Sequence, residues 1–466
     1  MNRVLLVNPP YTEKVYSGLK NAVAVSIPLG LAYIGAVLKK EGIYVEALDA
    51  NVLELSAEET SRRIIKSSCN IIFFTSASST ITTIYKICRN IKSSSDKTTI
   101  VGGPHATFTA ERTLKECRDI DITARGEGEF TALELAQGKS LDKIDGITYR
   151  KDSNIIHNKD RKRIENLDEL PFPARELFPL GLYRPGAIFN TWRKNSECET
   201  IITARGCPNR CKYCSSVHFW GTQVKFRSAL NIVKEIEFLQ EKYNTKQIAI
   251  IDDTFTAHIP RLEEFCKLIK ERKIKIEWWC WSRVNIPKKI LGLMREAGCY
   301  GLNFGIESGN EDILKRINKN ITKENTLEVI SEAKRLGFLV NTSFMIGLPG
   351  DTKETVMQTI NWAIRLNPHI AFFCITTPFP GTELYSEALE KGWMEEVKNW
   401  DDVGLHMKTK YHNENLSSEE IYGLYKLAQR KFYFRFSFFW QIFRHLLKNP
   451  RQTKGFILSG LYMLTE

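Results

Sequence analysis

The chain has 466 residues, about three times the usual ~150-residue domain, so two or three domains are expected. Its composition of 43% hydrophobic and 26% charged residues is ordinary for globular proteins and excludes a mainly disordered chain. The net charge of +12 raises the question of an anionic partner, and residues 430–454 alone hold seven Lys or Arg and no acidic residue.

Nothing in the sequence predicts export or a membrane span. Residues 1–10 are a short apolar run that ends in two prolines and lacks a cleavage site. The longest apolar window, residues 22–38, is interrupted by Ser26, Pro28 and Gly30 and is shorter than the ~20 residues of a spanning helix. Eleven cysteines, an odd number, argue against a disulfide framework. We therefore expect a cytoplasmic protein with reduced thiols.

The first third of the chain alternates short apolar runs with helical patterns, which predicts an α/β fold with a doubly wound parallel sheet. Ligands of such sheets bind at the carboxyl ends of the strands, so the turns at 76–79, 102–105 and 126–128 are expected to share one mouth. The strands are predicted at residues 4–7, 45–48, 71–75, 99–101 and 120–124, and the helices at 31–40, 57–66, 80–91 and 107–115.

A second βα series follows a polar, proline-containing stretch. Its six units predict a partial TIM-like (βα)6 barrel with functional residues at the C-terminal strand ends. The predicted organisation is a first sheet over 1–142, a linker over 143–194, a barrel over 195–415 and a helical tail over 416–466. The barrel strands are predicted at 200–203, 247–251, 275–279, 300–304, 340–346 and 370–375, and its helices at 229–243, 260–271, 288–296, 323–336 and 353–366.

Three cysteines directly after the first predicted barrel strand are the sharpest motif. Cys207, Cys211 and Cys214 stand in CPNRCKYC, and thiolates at this spacing select zinc or an iron–sulfur cluster. His218 lies four residues further on, so a Cys₃His zinc site in a binding protein without radical chemistry is one alternative. A barrel mouth favours open coordination, because a substrate atom must reach the metal.

The cysteine motif, with GIESG at 305–309 and FMIGLPG at 344–350, resembles the radical SAM superfamily. The family pattern CxxxCxΦC has an aromatic residue where Tyr213 stands. The resemblance implies that the three cysteines hold a [4Fe–4S] cluster, which binds S-adenosylmethionine and yields a 5′-deoxyadenosyl radical on one-electron reduction. It further assigns to S-adenosylmethionine the residues Tyr213, Asp252, Asp253, Ser282, Glu307 and Ser343.

Within that set, the two adjacent aspartates depart from the family pattern. Asp252 and Asp253 stand where many members have Gly-Gly-Glu to receive the methionine amine. Their carboxylates suit an ammonium group chemically, but strand-end aspartates also cap following helices. By the same resemblance, Tyr213 lines the adenine pocket, and Glu307 and Ser282 reach the ribose hydroxyls.

The first domain resembles the cobalamin-binding modules fused to many radical SAM enzymes, in PLGLA at 28–32, GGPHA at 102–106 and GEGE at 126–129. The Asp-x-His-x-x-Gly motif that supplies a cobalt ligand in mutases is absent. The resemblance therefore implies base-off cobalamin without a protein histidine on cobalt. A domain that has lost its ligand, or binds the substrate, is the alternative. The residues assigned to cobalamin are Pro28, Gly30, Ser76, Ser78, Gly102, Gly103, His105, Gly126 and Glu127.

Together, the two resemblances imply a cobalamin-dependent radical SAM enzyme. The main expectation is a methyltransferase that acts on an unactivated carbon through the 5′-deoxyadenosyl radical and methylcobalamin. A cyclase or carbon-skeleton enzyme is the alternative, since the anaerobic Mg-protoporphyrin monomethyl ester cyclase shares this domain order. The implied partners are a low-potential electron donor of the flavodoxin or ferredoxin type and a small-molecule or lipid substrate.

The tail over residues 430–454 predicts a basic amphipathic helix that ends at Pro450. Such a helix is typical of peripheral contact with anionic lipid, which gives membrane association as a second expectation for location. A tail helix packed on the barrel explains the pattern equally well. No nucleic-acid partner is expected, because no reading module is recognised. The apolar row of this helix comprises Phe432, Phe436, Phe439, Trp440, Phe443 and Leu447.

Overall fold

The computed structural model describes residues 2–11, 24–183 and 197–448 and divides the chain into two compact units. Unit 1 contains Val25–Tyr183, the N-terminal strand and the short segment Asn399–Asp401, and unit 2 contains most of the remainder. The end of the expected linker, residues 184–194, and the expected helix end at Pro450 lie outside the described residues.

Unit 1 is built on one seven-stranded sheet. Its strands are β1 (Arg3–Asn8), β2 (Tyr44–Asp49), β3 (Ile71–Thr75), β4 (Thr98–Gly102), β5 (Ile122–Ala124), β6 (Ile147–Lys151) and β7 (Asn154–His157). Its helices are α1 (Leu29–Lys40), α2 (Ala57–Lys66), α3 (Ile81–Lys92), α4 (Pro104–Phe108), α5 (Ala110–Glu116) and α6 (Glu129–Ala136).

The strand order of unit 1, β2-β1-β3-β4-β5-β6-β7, confirms the predicted doubly wound sheet. Strands β1 to β5 pair in parallel, and their apolar runs are buried, as expected for a sheet covered by helices on both faces. The order reverses between β1 and β3. Ligands of such sheets bind at this switch point, outside the carboxyl ends of the strands.

The stretch expected to be a linker instead begins with a hairpin of the first sheet. Strands β6 and β7 pair antiparallel, and Lys151 lies opposite Asn154 across a turn at Asp152, whose φ is 55°. Strand β6 extends the sheet antiparallel to β5. The polar composition concealed this hairpin, since an edge strand needs few apolar residues.

Unit 2 is built on one six-stranded sheet and a small two-stranded one. Its strands are β8 (Cys198–Ile201), β9 (Ala204–Arg205), β10 (Lys225–Phe226), β11 (Gln247–Ile250), β12 (Glu277–Ser282), β13 (Cys299–Glu307), β14 (Leu339–Ile346) and β15 (Ile370–Ile375). Its helices are α7 (Ser216–Trp220), α8 (Ala229–Tyr243), α9 (Ile259–Glu271), α10 (Lys288–Glu296), α11 (Glu311–Arg316), α12 (Lys323–Arg335), α13 (Lys353–Leu366), α14 (Glu383–Glu390), α15 (Ser418–Tyr433) and α16 (Phe436–Lys448).

The six strands of the larger sheet follow one another in the order β8-β11-β12-β13-β14-β15, and every pairing is parallel. Within the described residues β8 and β15 do not pair with each other, so the barrel is open, as predicted. Apolar side chains such as Trp278, Phe304 and Phe344 alternate along the strands and form the core with the helices. The other face of the sheet carries both polar and large apolar residues, among them Ser343 and Trp279.

The C-terminal helices differ in how much apolar surface they bury. Phe432 of α15 is buried against Phe373, with ring centroids 5.9 Å apart. By contrast, Phe436, Phe439 and Leu447 of α16 are 86%, 54% and 69% exposed. No helix in the described ranges combines the length and apolar character needed to cross a membrane.

Candidate active site

The cysteine loop of unit 2 lies just beyond β9 and is held by backbone hydrogen bonds on two sides. The Lys212 N–H donates to the Ile317 carbonyl at 3.1 Å, and the Leu384 N–H donates to the Lys212 carbonyl at 2.9 Å. All three thiols of the loop are free, Cys211 is buried, and the other two are half-buried. The loop is thus fixed in place, and its cysteines form no disulfide bond.

Side-chain donors approach two of the three sulfur atoms. The Asn209 amide donates to the Sγ of Cys207 at 3.3 Å, and Arg283 Nη1 donates to the Sγ of Cys211 at 3.5 Å. Burial raises the pKa of Cys214 to about 11, so this thiol stays protonated until a metal displaces its proton.

The donor set fits an iron–sulfur cluster better than a zinc ion. No group of three or more His, Cys, Asp or Glu in the described residues surrounds a single metal position, and His218 is exposed. Zinc requires four ligands around one point, whereas each thiolate of a [4Fe–4S] cluster binds a different iron. Three free thiols in one loop therefore match the cluster that the motif implies, and the assignment of Cys207, Cys211 and Cys214 as its ligands stays a prediction.

Tyr213 and Glu307, two residues assigned to the nucleotide, are in direct contact. The Tyr213 hydroxyl donates to Glu307 Oε1 at 3.0 Å, and Lys319 Nζ donates to the same oxygen at 2.8 Å. Desolvation, followed by the Glu307 charge, raises the pKa of Tyr213 well above its usual value. Lys319 was not identified from the sequence, because nothing in its local pattern indicates a long-range pair. The three side chains form a buried polar cluster beside the cysteine loop.

The conformation of Glu307 is unusual for a residue with a side chain. Its φ is 68°, and the register between β13 and β14 shifts between Gly305 and Glu307. A Cβ at Gly305 would lie 2.5 Å from Glu307 Oε1 and 2.8 Å from Lys319 Nζ, so a side chain there would displace the pair from its present position. Strained backbone of this kind clusters at functional sites.

The two aspartates differ in what they contact. The Thr203 N–H donates to Asp252 Oδ1 at 2.5 Å, and Arg261 lies 3.8 Å from the other carboxylate oxygen, with both side chains buried. Asp252 thus ties β8 to β11, and its bonds are already made, which differs from the expected role at the methionine amine. Asp253 is exposed and accepts from the Ser216 hydroxyl at 2.6 Å. Its role at the methionine amine stays a prediction.

The two serines assigned to the nucleotide lie on neighbouring parts of the sheet. The Ser282 hydroxyl, at the end of β12, is buried and lies 2.9 Å from the Thr256 hydroxyl. Ser343 is half-buried in β14, in register with Gly305. Their roles remain predictions.

In unit 1, the turns after β3 and β4 pack backbone against backbone. Gly103 has φ 94° and ψ −177°, a region essentially restricted to glycine, and a Cβ there would lie 2.6 Å from the Ser76 carbonyl oxygen. The Ser76 hydroxyl donates to the Gly102 carbonyl at 2.7 Å. Gly103 therefore lets the two turns pack closely together at the carboxyl ends of the strands, the edge at which ligands of such sheets bind.

His105 is buried and neutral, and its two ring nitrogens differ in their contacts. Its Nδ1 lies 3.0 Å from the Ser78 hydroxyl, and its Nε2 is buried. Burial lowers the pKa of His105 to about 4. Cobalamin without a histidine on cobalt stays a prediction.

Trp400 packs against this histidine. It lies in Asn399–Asp401, the segment of unit 1 that follows the last barrel strand in the chain. Its ring meets that of His105 edge-on, with centroids 4.5 Å apart, and its Nε1 donates to Glu116 at 2.9 Å. The Arg112 guanidinium lies over the same indole at 4.6 Å from the ring centroid. Sequence reasoning missed Trp400, since almost 300 residues separate it from its partners.

The remaining residues assigned to cobalamin differ in accessibility. Gly30, in the first turn of α1, is exposed, and neither there nor at Gly126 would a Cβ meet an atom within 4 Å. The Pro28 carbonyl accepts from the Ala32 N–H at 3.0 Å and so begins α1. Glu127 is buried and accepts from the Ile164 N–H at 2.6 Å, so its carboxylate is engaged within the protein.

Two family profiles match the two units of the chain. Residues 19–136 match the B12 binding domain, and residues 201–363 match the radical SAM superfamily. The first match includes the glycine turn, and the second includes the cysteine loop and the polar pair at Glu307.

Characterised and uncharacterised relatives align over most of the chain. An uncharacterized methyltransferase of Pyrococcus horikoshii is 33% identical over 98% of this chain and 96% of its own length. The anaerobic magnesium-protoporphyrin IX monomethyl ester cyclase of Rubrivivax gelatinosus is 28% identical over 87% of this chain and 73% of its own.

A solved structure shares the fold. The radical S-adenosylmethionine methyltransferase TsrM from Kitasatospora setae, with cobalamin and a [4Fe–4S] cluster bound, superposes with a TM-score of 0.68 at 20% identity. The alignment covers 85% of this chain and 76% of TsrM. Both the sheet of unit 1 and the open barrel of unit 2 therefore have counterparts of known structure.

Proposed function

This chain belongs to the cobalamin-dependent radical SAM methyltransferase family, and we propose that it transfers a methyl group to an unactivated carbon of a small-molecule substrate. The observation that carries the proposal is the 33% identity to the Pyrococcus methyltransferase over 98% of this chain. Its cofactors are a [4Fe–4S] cluster, S-adenosylmethionine and cobalamin. Like radical SAM enzymes in general, it needs a reductant.

When bound, the cluster and S-adenosylmethionine supply a radical that removes substrate hydrogen, and cobalamin supplies the methyl group. The chain's own residues hold and orient these groups. Cys207, Cys211 and Cys214 would bind the irons, and Asp253 would receive the methionine amine. Glu307, fixed by Lys319, would bind the ribose hydroxyls. In unit 1, cobalamin would bind beside the tight turn at Gly103.

The test uses the anaerobically reconstituted protein with methyl-labelled S-adenosylmethionine and dithionite. We expect 5′-deoxyadenosine and S-adenosylhomocysteine, with label in the product when a candidate substrate is present. The Cys207→Ala variant is expected to form no 5′-deoxyadenosine. Absence of both nucleoside products from the unaltered, iron-loaded protein would refute the proposal.

The similarity to the cyclase keeps ring formation as a second candidate, because that relative aligns over 87% of this chain. The two reactions differ in stoichiometry. Methyl transfer produces one S-adenosylhomocysteine for each product molecule, whereas ring formation produces none. Quantifying this nucleoside beside the product therefore separates the two functions.

The reductant is a low-potential one-electron donor of the flavodoxin or ferredoxin type, and the exposed face of α16 contacts an anionic membrane. The support for the membrane contact is a row of exposed apolar side chains in a stretch that carries only positive charge. In this proposal the substrate is a lipid or another membrane-resident small molecule. The row comprises Phe436, Phe439, Trp440, Phe443 and Leu447.

Co-sedimentation with vesicles tests the membrane contact. Binding is expected to vesicles that contain phosphatidylglycerol and not to pure phosphatidylcholine, and a Phe439→Ser, Trp440→Ser double variant is expected to lose it. Met407, which is 41% exposed elsewhere in unit 2, provides the matched control Met407→Ser. Equal binding by the double variant would show that α16 makes no such contact.

A further inference from the structure

Arg283 is a buried cation beside the cysteine loop. It directly follows β12, at the carboxyl end of a barrel strand, and is only 9% exposed. Its Nη1 donates to the Sγ of Cys211 at 3.5 Å, and its Nη2 donates to the backbone carbonyl of Lys319. The guanidinium is thereby anchored on one side and directed at a sulfur atom on the other.

Within the part of the chain that the structure describes, Arg283 has no carboxylate within ion-pair distance, and its Nε is buried without a hydrogen-bond partner. The neighbouring charges are already matched. Lys319 pairs with Glu307 at 2.8 Å, and Arg261 lies beside Asp252. A buried charge without an anion is costly, so the Arg283 site implies a negative charge that the protein side chains do not supply.

The contact with the Cys211 sulfur points to an anion that lies against this atom. A [4Fe–4S]²⁺ core with three thiolate ligands carries a net charge of minus one, which reduction makes minus two. Hydrogen bonds to the sulfur atoms and nearby charge are among the factors that set the potential of such clusters. Both factors are present at Arg283.

We propose that Arg283 raises the reduction potential of the cluster held by Cys207, Cys211 and Cys214. Its guanidinium compensates the charge of the electron that the cluster accepts from a one-electron donor, which is oxidised in the same step. The step transfers one electron and no proton. The inference rests on the cluster assignment in the proposed function and adds the residue that tunes it.

The experiment is a dithionite potentiometric titration of the reconstituted protein, followed by the electron paramagnetic resonance signal of the reduced cluster, without S-adenosylmethionine. For Arg283→Gln we expect a roughly tenfold lower equilibrium constant for reduction, about 59 mV for a one-electron couple. Arg283→Lys keeps the charge but not the two-armed geometry, so a smaller shift in the same direction is expected.

Arg272→Gln provides the matched control. Arg272 lies at the surface of unit 2, where it pairs with Glu237 at 3.0 Å, so its loss removes the same charge without removing a hydrogen bond to a cysteine of the loop. Solvent and salt screen such a charge, and the potential is expected to stay at the value of the unaltered protein.

An unchanged potential in an Arg283→Gln protein with full iron and sulfide content would overturn the proposal. So would an unchanged potential with weakened binding of S-adenosylmethionine, since Arg283 would then serve the carboxylate of that nucleotide. If the Arg283→Gln variant holds no iron, the reduction potential of Arg283→Lys is used instead, and an unchanged value would again overturn the proposal. Absence of iron and sulfide from the unaltered protein would instead refute the cluster assignment itself.

Discussion

Replacing Lys319 with methionine should destabilise the end of β13 strongly. Lys319 and Glu307 form an ion pair at 2.8 Å, and their side chains are 6% and 8% exposed. Removing one partner of a buried pair costs about 3–5 kcal/mol, because the other charge is left in the interior without compensation. Glu307 also carries a φ of 68°, a conformation that persists only while its surroundings hold it.

Hydrogen exchange of the amides of β13, followed by mass spectrometry, reads this local free energy directly. A loss of 3–5 kcal/mol corresponds to exchange faster by roughly 10²- to 5 × 10³-fold. The Lys315→Met variant is the control, because its pair with Asp312 is 76% and 89% exposed and is expected to contribute about 0–1 kcal/mol. The double variant with Glu307→Gln should regain much of the loss, since no uncompensated charge remains. Equal, small effects of Lys319→Met and Lys315→Met would refute the reasoning.

Three further predictions concern other parts of the chain. Gly103→Ala should lower the free energy of unfolding of unit 1 by about 1–3 kcal/mol, because the new Cβ would contact the Ser76 backbone. Gly30→Ala should not destabilise unit 1, because no atom lies within 4 Å of a Cβ there, and equal melting temperatures of the two variants would contradict this. Burial raises the pKa of Asp351 to about 6, above its value in the unfolded chain, so the folded state loses stability as this carboxyl ionises. Between pH 5 and 7, the free energy of unfolding of the unaltered protein should therefore fall by about 1 kcal/mol relative to that of Asp351→Asn. Urea titrations that run parallel at both pH values would exclude this linkage. Cys211→Ala should bind no cluster in anaerobic iron and sulfide assays, while Cys266→Ala, a buried thiol elsewhere in unit 2, should bind a full one.

The sequence predicted the regular βα units well, because buried parallel strands and their helices have strong periodic patterns. The strand Ile370–Ile375 and the helix Ala229–Tyr243 have the bounds that periodicity gave. The hairpin of β6 and β7 was missed, since a polar edge hairpin looks like a linker. The expected helix over residues 107–115 is two helices that meet at Thr109, whose φ of −130° interrupts the helical path.

Site residues were predictable only where a motif is local. The three cysteines occupy one loop, so their spacing alone indicated a metal. Lys319 and Arg283 contribute buried charges from distant positions, and no periodic pattern indicates which lysine or arginine is buried. The position of Asp252 at a strand end predicts a ligand-binding role, but its carboxylate oxygens contact Thr203 and Arg261 within the protein. A strand-end position alone therefore does not show that a residue binds a ligand.

The place of Trp400 has a consequence for dissecting the chain. Unit 1 is discontinuous, because Asn399–Asp401 belong to it while the residues on both sides belong to unit 2. A fragment that ends at Tyr183 would lack the indole that covers His105 and bonds Glu116. The N-terminal half expressed alone should therefore expose that apolar surface and aggregate, and adding the other half in trans should rescue its solubility.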